Sequence, residues 1–266
     1  MTLFSTRIQD RRVRWWVNGE HHEFKHVAEK IKGQNFVESL GLPTPERFFV
    51  GDRIESIPDF ADLPEKFVIK PSRGWSSNNV FVMNKGKNML DGKAWSRDEI
   101  IKFISSQPSV NENAKTKLMI EEYLVHWSDQ DKIADDYKFF MFGSKIAYVS
   151  IIERNDGKDM KSNRFWNVSE DWELIDFQIM QSQLPEKSLP KKPDCWEQLC
   201  EMAKEIGSTL NMFMRVDLYA TSRGPVFGEF TPQPQGGKGF TPSADKWLAT
   251  LWRGKEGADD LDYHPD

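Results

Sequence analysis

Two cysteines among 266 residues, Cys195 and Cys200, are too few for a disulfide framework, and their spacing on one helical stretch suits neither a bridge nor a metal pair. They read as core residues. No apolar run approaches the roughly 18 residues needed to cross a bilayer. Met1 to Asp10 also lacks an apolar signal-peptide core, so a cytoplasmic location is expected. The pattern GxxxxGK[ST] is missing, which excludes a Walker A loop. Nothing repeats at a fixed period, and no segment is low in complexity. A net charge of −5 gives no overall pull toward nucleic acid or anionic membrane, and nucleic acid is not expected as a partner. What the chain does hold is 38% apolar residues, with 18 Phe and 10 Trp, enough for one large folded domain or two small ones. The basic cluster Arg7, Arg11, Arg12 and Arg14, beside Trp15 and Trp16, reads as solvated surface, with contact to an acidic polymer as the alternative.

Helical apolar spacing from His26 to Leu40 ends at Gly41, a good C-terminal cap, and places Lys30 on that helix. An extended stretch follows at Arg47 to Val50. Lys66 to Pro71 and Val80 to Met83 read as strands around a polar loop. That loop includes Ser72 and Gly74, and its hydroxyls and backbone N–H groups could lie over phosphates. Lys70 ends an apolar strand, so its ammonium is held in one place. A helix from Ser96 to Ser106 precedes a strand that runs into Glu121, Glu122, Tyr123 and Leu124. Extended backbone of this kind offers an N–H and a C=O to a purine edge, although an ordinary edge strand reads the same way. Tyr137 to Phe142 and Lys145 to Ile152 form a hairpin turning at Gly143 and Ser144. A long helix spans Cys195 to Asn211.

The last hairpin carries the chemistry. Alternation along Met214 to Tyr219 puts Arg215 and Asp217 on one face, and the return strand Val226 to Phe230 brings Glu229 roughly opposite Asp217. Two bare carboxylates so placed repel, and a divalent cation such as magnesium removes the repulsion. The plain alternative is a hairpin whose acids are solvated or paired with lysines.

The order of these features resembles the ATP-grasp superfamily. That order is helix lysine, strand lysine with polar loop, acid-acid-aromatic-apolar hinge, hairpin, then R-x-D and E-x-x-P ending in glycines. Within the superfamily, FVIKPSRG, DYKFFMFGSKIAYV and RVDLY followed by FGEFTPQPQGGKGFTP are similar to the TupA-like branch, associated with polysaccharide and teichuronopeptide biosynthesis. The resemblance implies an α+β fold in which two lobes with antiparallel sheets grip ATP. It divides the chain into a shortened N-terminal region at 1–50, an ATP-grasp subdomain at 51–124, a second with the metal site at 125–253, and an acidic tail at 254–266 expected to be mobile.

Carried over by position, the resemblance implies that Lys30 and Lys70 grip the phosphates. Lys30 stands eleven positions before Gly41, the spacing that the family shows. Glu121 would begin the hinge, Glu122 and Leu124 would offer backbone to adenine, and Asp136 would sit near the ribose. Arg215 would face charge developing at the γ-phosphate, and Asp217 and Glu229 would hold two magnesium ions. The chain has Thr231 where an asparagine ligand is common, so Thr231 or Gln233 would complete the metal shell.

The expected activity is ATP-dependent joining of a carboxylate to an amine through an acyl phosphate, on a sugar acid or amino acid bound for a surface polysaccharide. Such a step needs metal on the phosphate oxygens, cations on the γ-phosphate and exclusion of water. Arg154 joins Lys30, Lys70 and Arg215 as a source of cations. Lys161 and Arg164 are candidates for gripping phosphate or the acid, against a solvated loop. Two alternatives stay open. One is a phosphotransferase acting on a glycan or small-molecule hydroxyl. The other is a non-catalytic glycan- or nucleotide-binding module whose surface tryptophans, Trp15, Trp16, Trp75 and Trp166, stack on sugars. A homodimer stays open as an assembly.

Overall fold

The computed structural model describes residues 1–73, 79–107, 117–130, 132–153 and 163–258. Ten strands form two antiparallel sheets. The first is ordered β1 (Arg47–Gly51), β5 (Leu118–Glu122), β2 (Lys66–Pro71), β3 (Phe81–Asn84) and β4 (Lys87–Asn88). The second is ordered β10 (Gly224–Thr231), β9 (Phe213–Thr221), β6 (Asp136–Phe142), β7 (Lys145–Glu153) and β8 (Arg164–Val168). No helix among the described residues is long and apolar enough to cross a membrane.

Strand alternation gives each sheet a face packed on a helix, and part of the second sheet is buried on both faces. In the first, Phe67, Ile69, Leu118 and Ile120 pack with Ile100 and Ile104 of helix α3 (Arg97–Ser105). That helix starts where Ser96 and Glu99 close a capping box, each satisfying an amide that the helix end would otherwise leave unpaired. In the second sheet, Met214, Val216, Leu218 and Ala220 of β9 face helix α4 (Trp196–Leu210), which contributes Leu199, Ala203, Ile206 and Leu210. α4 lies so close to the β6–β7 turn that a Cβ on Gly207 would come within 2.2 Å of the Gly143 carbonyl. Glycine is required there by contact.

Helix α1 (Phe4–Arg12) and the π-helical turn Val13–Val17 precede α2 (Lys30–Ser39), and helix α5 (Pro242–Leu251) lies near the other end of the described chain. Phe4 and Ile8 of α1 share a core with Phe140, Phe142, Phe213, Leu248 and Trp252, on the face of the second sheet opposite α4. The solvated basic surface expected near the N-terminus is therefore corrected for Arg11 and Arg14, while Arg12 is exposed. Arg11 is fully buried, bonded to the Glu256 carboxylate and to the carbonyls of Phe213, Pro232 and Glu256, because four backbone and side-chain acceptors converge on it. Burial lowers its pKa to about 10, against the pull of Glu256. Arg14 is paired with Glu20 and Glu256. Trp15 and Trp166, expected at the surface, are 0% and 2% exposed and belong to the core packed on α4. Trp16 is exposed, and Trp75 lies outside the described residues.

Candidate active site

Strand register decides which carboxylates meet. β9 and β10 pair Asp217 directly with Glu229, and a bulge falls between Phe227 and Glu229. Phe227 and Phe230 both point into the core, so the extra residue Gly228 is what turns Glu229 to the face of Asp217. Regular pairing would have set Gly228 opposite Asp217 and driven Glu229 toward the core. Gly228 has no room for a side chain: a Cβ would lie 2.7 Å from the Tyr219 ring and 3.0 Å from the Asp217 carbonyl.

On the other side of Asp217, β6 brings Lys138 into register. Lys138 Nζ donates to Asp217 Oδ2 at 2.7 Å and stands 3.6 Å from Asp136. Arg215, two residues before Asp217 and therefore on the same face, donates from Nε and Nη2 to its two oxygens, each at 2.7 Å. Arg215 also lies 3.7 Å from Glu229.

The first sheet and α2 supply the opposing wall. Lys30, the first residue of α2, stands 3.6 Å from Glu229, and its amide donates to the Ser72 carbonyl at 2.9 Å. Lys70 pairs with Glu121, whose second oxygen accepts from Gln34 at 2.8 Å. Burial lowers the pKa of Lys30, Glu229 opposes the shift, and Lys70 adds to it, which places the two ammonium groups within reach of one field. Lys30, Lys70, Asp217 and Glu229, far apart in sequence, thus fall in one cluster. Among the described residues, four acids (Glu121, Asp136, Asp217, Glu229) face four bases (Lys30, Lys70, Lys138, Arg215), for a formal sum of zero.

Other expected residues are placed differently. Ser72 is locked into the fold, its hydroxyl accepting from the Lys117 amide at 3.1 Å, and does not stand open to a phosphate. Glu122 donates its N–H to the Glu46 carbonyl at 2.8 Å and spends its carboxylate on Arg223, so its amide is not on offer to a purine. Leu124 is half-buried just beyond β5. Thr231 is in register with Arg215, whereas Gln233 gives its oxygen to the Trp16 indole at 3.1 Å and joins no contact with Asp217 or Glu229. Arg164 is held at the sheet edge by Glu153 and Glu186, over the Trp166 ring, away from the cluster. Gly74, Arg154 and Lys161 lie outside the described residues. Sequence reasoning missed Lys138 and Gln34. The signal for Lys138 was available, since it is the single cation in the otherwise largely apolar strand β6.

Asp217 and Glu229 fit a nucleotide-borne magnesium ion. They are hard oxygen donors on rigid paired strands, with cations nearby for phosphate. Among the described residues no group of three or more His, Cys, Asp or Glu side chains is arranged to hold a metal by itself, so phosphate and water would complete the shell.

A family described as TupA-like ATP-grasp matches residues 7–252. No curated protein matches the chain. Among solved structures, D-alanine–D-alanine ligase from Bacillus anthracis aligns at 16% identity with a TM-score of 0.51, over 85% of this chain and 64% of that one. Its complex with ATP gives 14%, a TM-score of 0.50, and 85% and 62%. The ATP-grasp ligase PsnB complexed with minimal precursor aligns at 13% with a TM-score of 0.44, over 85% and 60%. The chain thus spans 60–64% of the length of these structures, and the likeness is one of fold.

Proposed function

The chain belongs to the TupA-like ATP-grasp family, and on that premise we propose that it is an ATP-dependent ligase joining a carboxylate to an amine, cytoplasmic and acting on a sugar acid or amino acid used in a surface polysaccharide. A carboxylate oxygen attacks the γ-phosphorus and ADP leaves. The amine then attacks the acyl carbon, phosphate leaves, and the amine proton passes to solvent. The observation that carries this reading is the meeting of Lys30 and Lys70 with Asp217 and Glu229 in one charge-balanced cluster.

In this reading Lys30 and Lys70 bind phosphate oxygens from the side of the first sheet. Arg215 holds Asp217 in place and lies near enough to Glu229 to offset charge arising between them. Asp217 and Glu229 would hold magnesium, which supplies Lewis-acid polarisation of the phosphate oxygens. Thr231, in register with Arg215, is the nearer candidate for a third protein ligand.

The test is a coupled assay of ADP and inorganic phosphate with pooled uronic acids and amino acids. A ligase releases both in equal amounts, and only when acid and amine are present together. Release of ADP without phosphate would instead identify a phosphotransferase. A melting temperature unmoved by ATP and magnesium would count against any nucleotide site, because a ligand bound only by the folded state raises its stability.

A further inference from the structure

Both oxygens of Asp217 are already taken by cations. Arg215 holds Oδ1 through Nε and Oδ2 through Nη2, and Lys138 Nζ adds a second donor to Oδ2. The residue is 1% exposed, so water offers it little else. A divalent ion approaching this carboxylate meets two like charges, and of its lone-pair sites only one, on Oδ1, is not already accepting a hydrogen bond. Glu229 is half-exposed, with its neighbouring cations at 3.6 and 3.7 Å. One carboxylate of the pair is open and the other is stoppered.

The two stoppers differ. Arg215 grips through a planar fork, whereas Lys138 holds by one ammonium on a flexible stem. Lys138 also has somewhere to go. Register across the second sheet runs Glu229, Asp217, Lys138, Ser150, Asn167, one residue per strand and all on one face. Ser150 and Asn167 are 8% and 6% exposed, polar side chains on the face that carries Lys138. Their oxygens can accept from an ammonium, and these two lie on the side of Lys138 away from Asp217. Cross-strand neighbours stand about 5 Å apart, within the sweep of a lysine.

We infer that Lys138 is a displaceable stand-in for the divalent cation. It holds Asp217 until an arriving phosphate chain supplies the negative charge that lets metal take its place, and it then moves toward Ser150 and Asn167. Metal therefore binds with or after the nucleotide, never well before it. Lys138 is a positioning residue in this scheme, acting through Asp217. The inference rests on the reading of Asp217 and Glu229 as metal ligands.

The test uses Mn²⁺ as probe, its free-ion paramagnetic resonance signal followed during titration of the full chain, with and without saturating ADP and against a protein-free ADP control. Wild type is expected to bind Mn²⁺ at least about tenfold more weakly without ADP than with it. Lys138→Met is expected to tighten ADP-free binding about tenfold, the order that one charge-assisted hydrogen bond is worth. Lys138→Gln serves the same purpose should the methionine variant not fold. Equal wild-type affinity with and without ADP would overturn the inference and leave the metal reading standing, as would ADP-free affinity unchanged in the variants. Mn²⁺ binding that never exceeds the ADP control would overturn the metal reading itself, and the inference with it.

Discussion

Replacing Arg11 by methionine tests how the N-terminal helix holds the site together. The guanidinium donates to Glu256 Oε2 at 2.9 Å, to the Phe213 carbonyl at 2.9 Å and to the Pro232 carbonyl at 3.1 Å, and it stacks between the Trp15 and Trp252 rings. Those carbonyls lie at the start of β9 and just past the end of β10, the two strands that carry Asp217 and Glu229. Methionine keeps most of the volume and removes every donor, leaving buried acceptors unmatched. Removing one partner of a buried ion pair costs about 3–5 kcal/mol. The lower end applies here, because Glu256 keeps Arg14 at 2.7 Å and burial already works against the Arg11 charge. At about 2–4 °C per kcal/mol for a chain of this size, the melting temperature should fall by roughly 6–12 °C. Scanning calorimetry with urea titration measures it. A fall under about 2 °C would show that the helix is held by Phe4 and Ile8 alone and that the arginine network adds nothing.

Gly228→Ala forces a Cβ against the Tyr219 ring at 2.7 Å, so a loss of about 1–3 kcal/mol is expected, together with weaker magnesium dependence as Glu229 is pushed off Asp217. Urea unfolding and Mn²⁺ titration of the same variant check the two parts. Asp217→Asn should lower magnesium-dependent ADP release about 10²–10³-fold, the scale for losing one electrostatic element of a reaction centre; full activity would remove Asp217 from the mechanism. Lys30→Met should raise the melting temperature while abolishing the shift caused by ATP. Because burial holds the pKa of Lys30 below 10.5, the folded state binds fewer protons than the unfolded chain between that lowered value and 10.5. Stability should therefore rise with pH across that window in wild type, and less so in Lys30→Met.

The strands were legible wherever alternation was strong. β2, β6, β7 and β9 lie within a residue or two of their expected bounds, because β2 and much of β9 alternate apolar with polar residues while β6 and β7 are short apolar runs bounded by the Gly143–Ser144 turn. The last hairpin turn is tighter than expected: the strand resumes at Gly224, since Thr221 Oγ1 closes the corner by bonding the Gly224 carbonyl at 2.7 Å. The N-terminal segment was illegible for a different reason. Its arginines look solvated by composition, and only tertiary contacts from Phe213, Pro232 and Glu256 make a buried Arg11 tolerable. α1 was not anticipated for the same reason.

For the site, residue type and spacing carried as far as the hairpin, and no further. That Asp217 and Glu229 lie on neighbouring strands followed from the hairpin itself, but their facing each other depends on the bulge, which lets Phe227 and Phe230 both reach the core. The repulsion between bare acids, which argued for a metal, is answered in the structure by Lys138 and Arg215. Lysine-paired acids were the plain alternative to a metal site, yet here the two readings are compatible. A cluster whose charges sum to zero among the described residues gains four negative charges with a tetra-anionic nucleotide, and two magnesium ions would restore the balance. The pairing that looks like the plain alternative is then the same pairing that makes metal entry depend on phosphate, and counting ions bound per nucleotide would decide it: two per site is expected, and none would leave the balance to lysine alone.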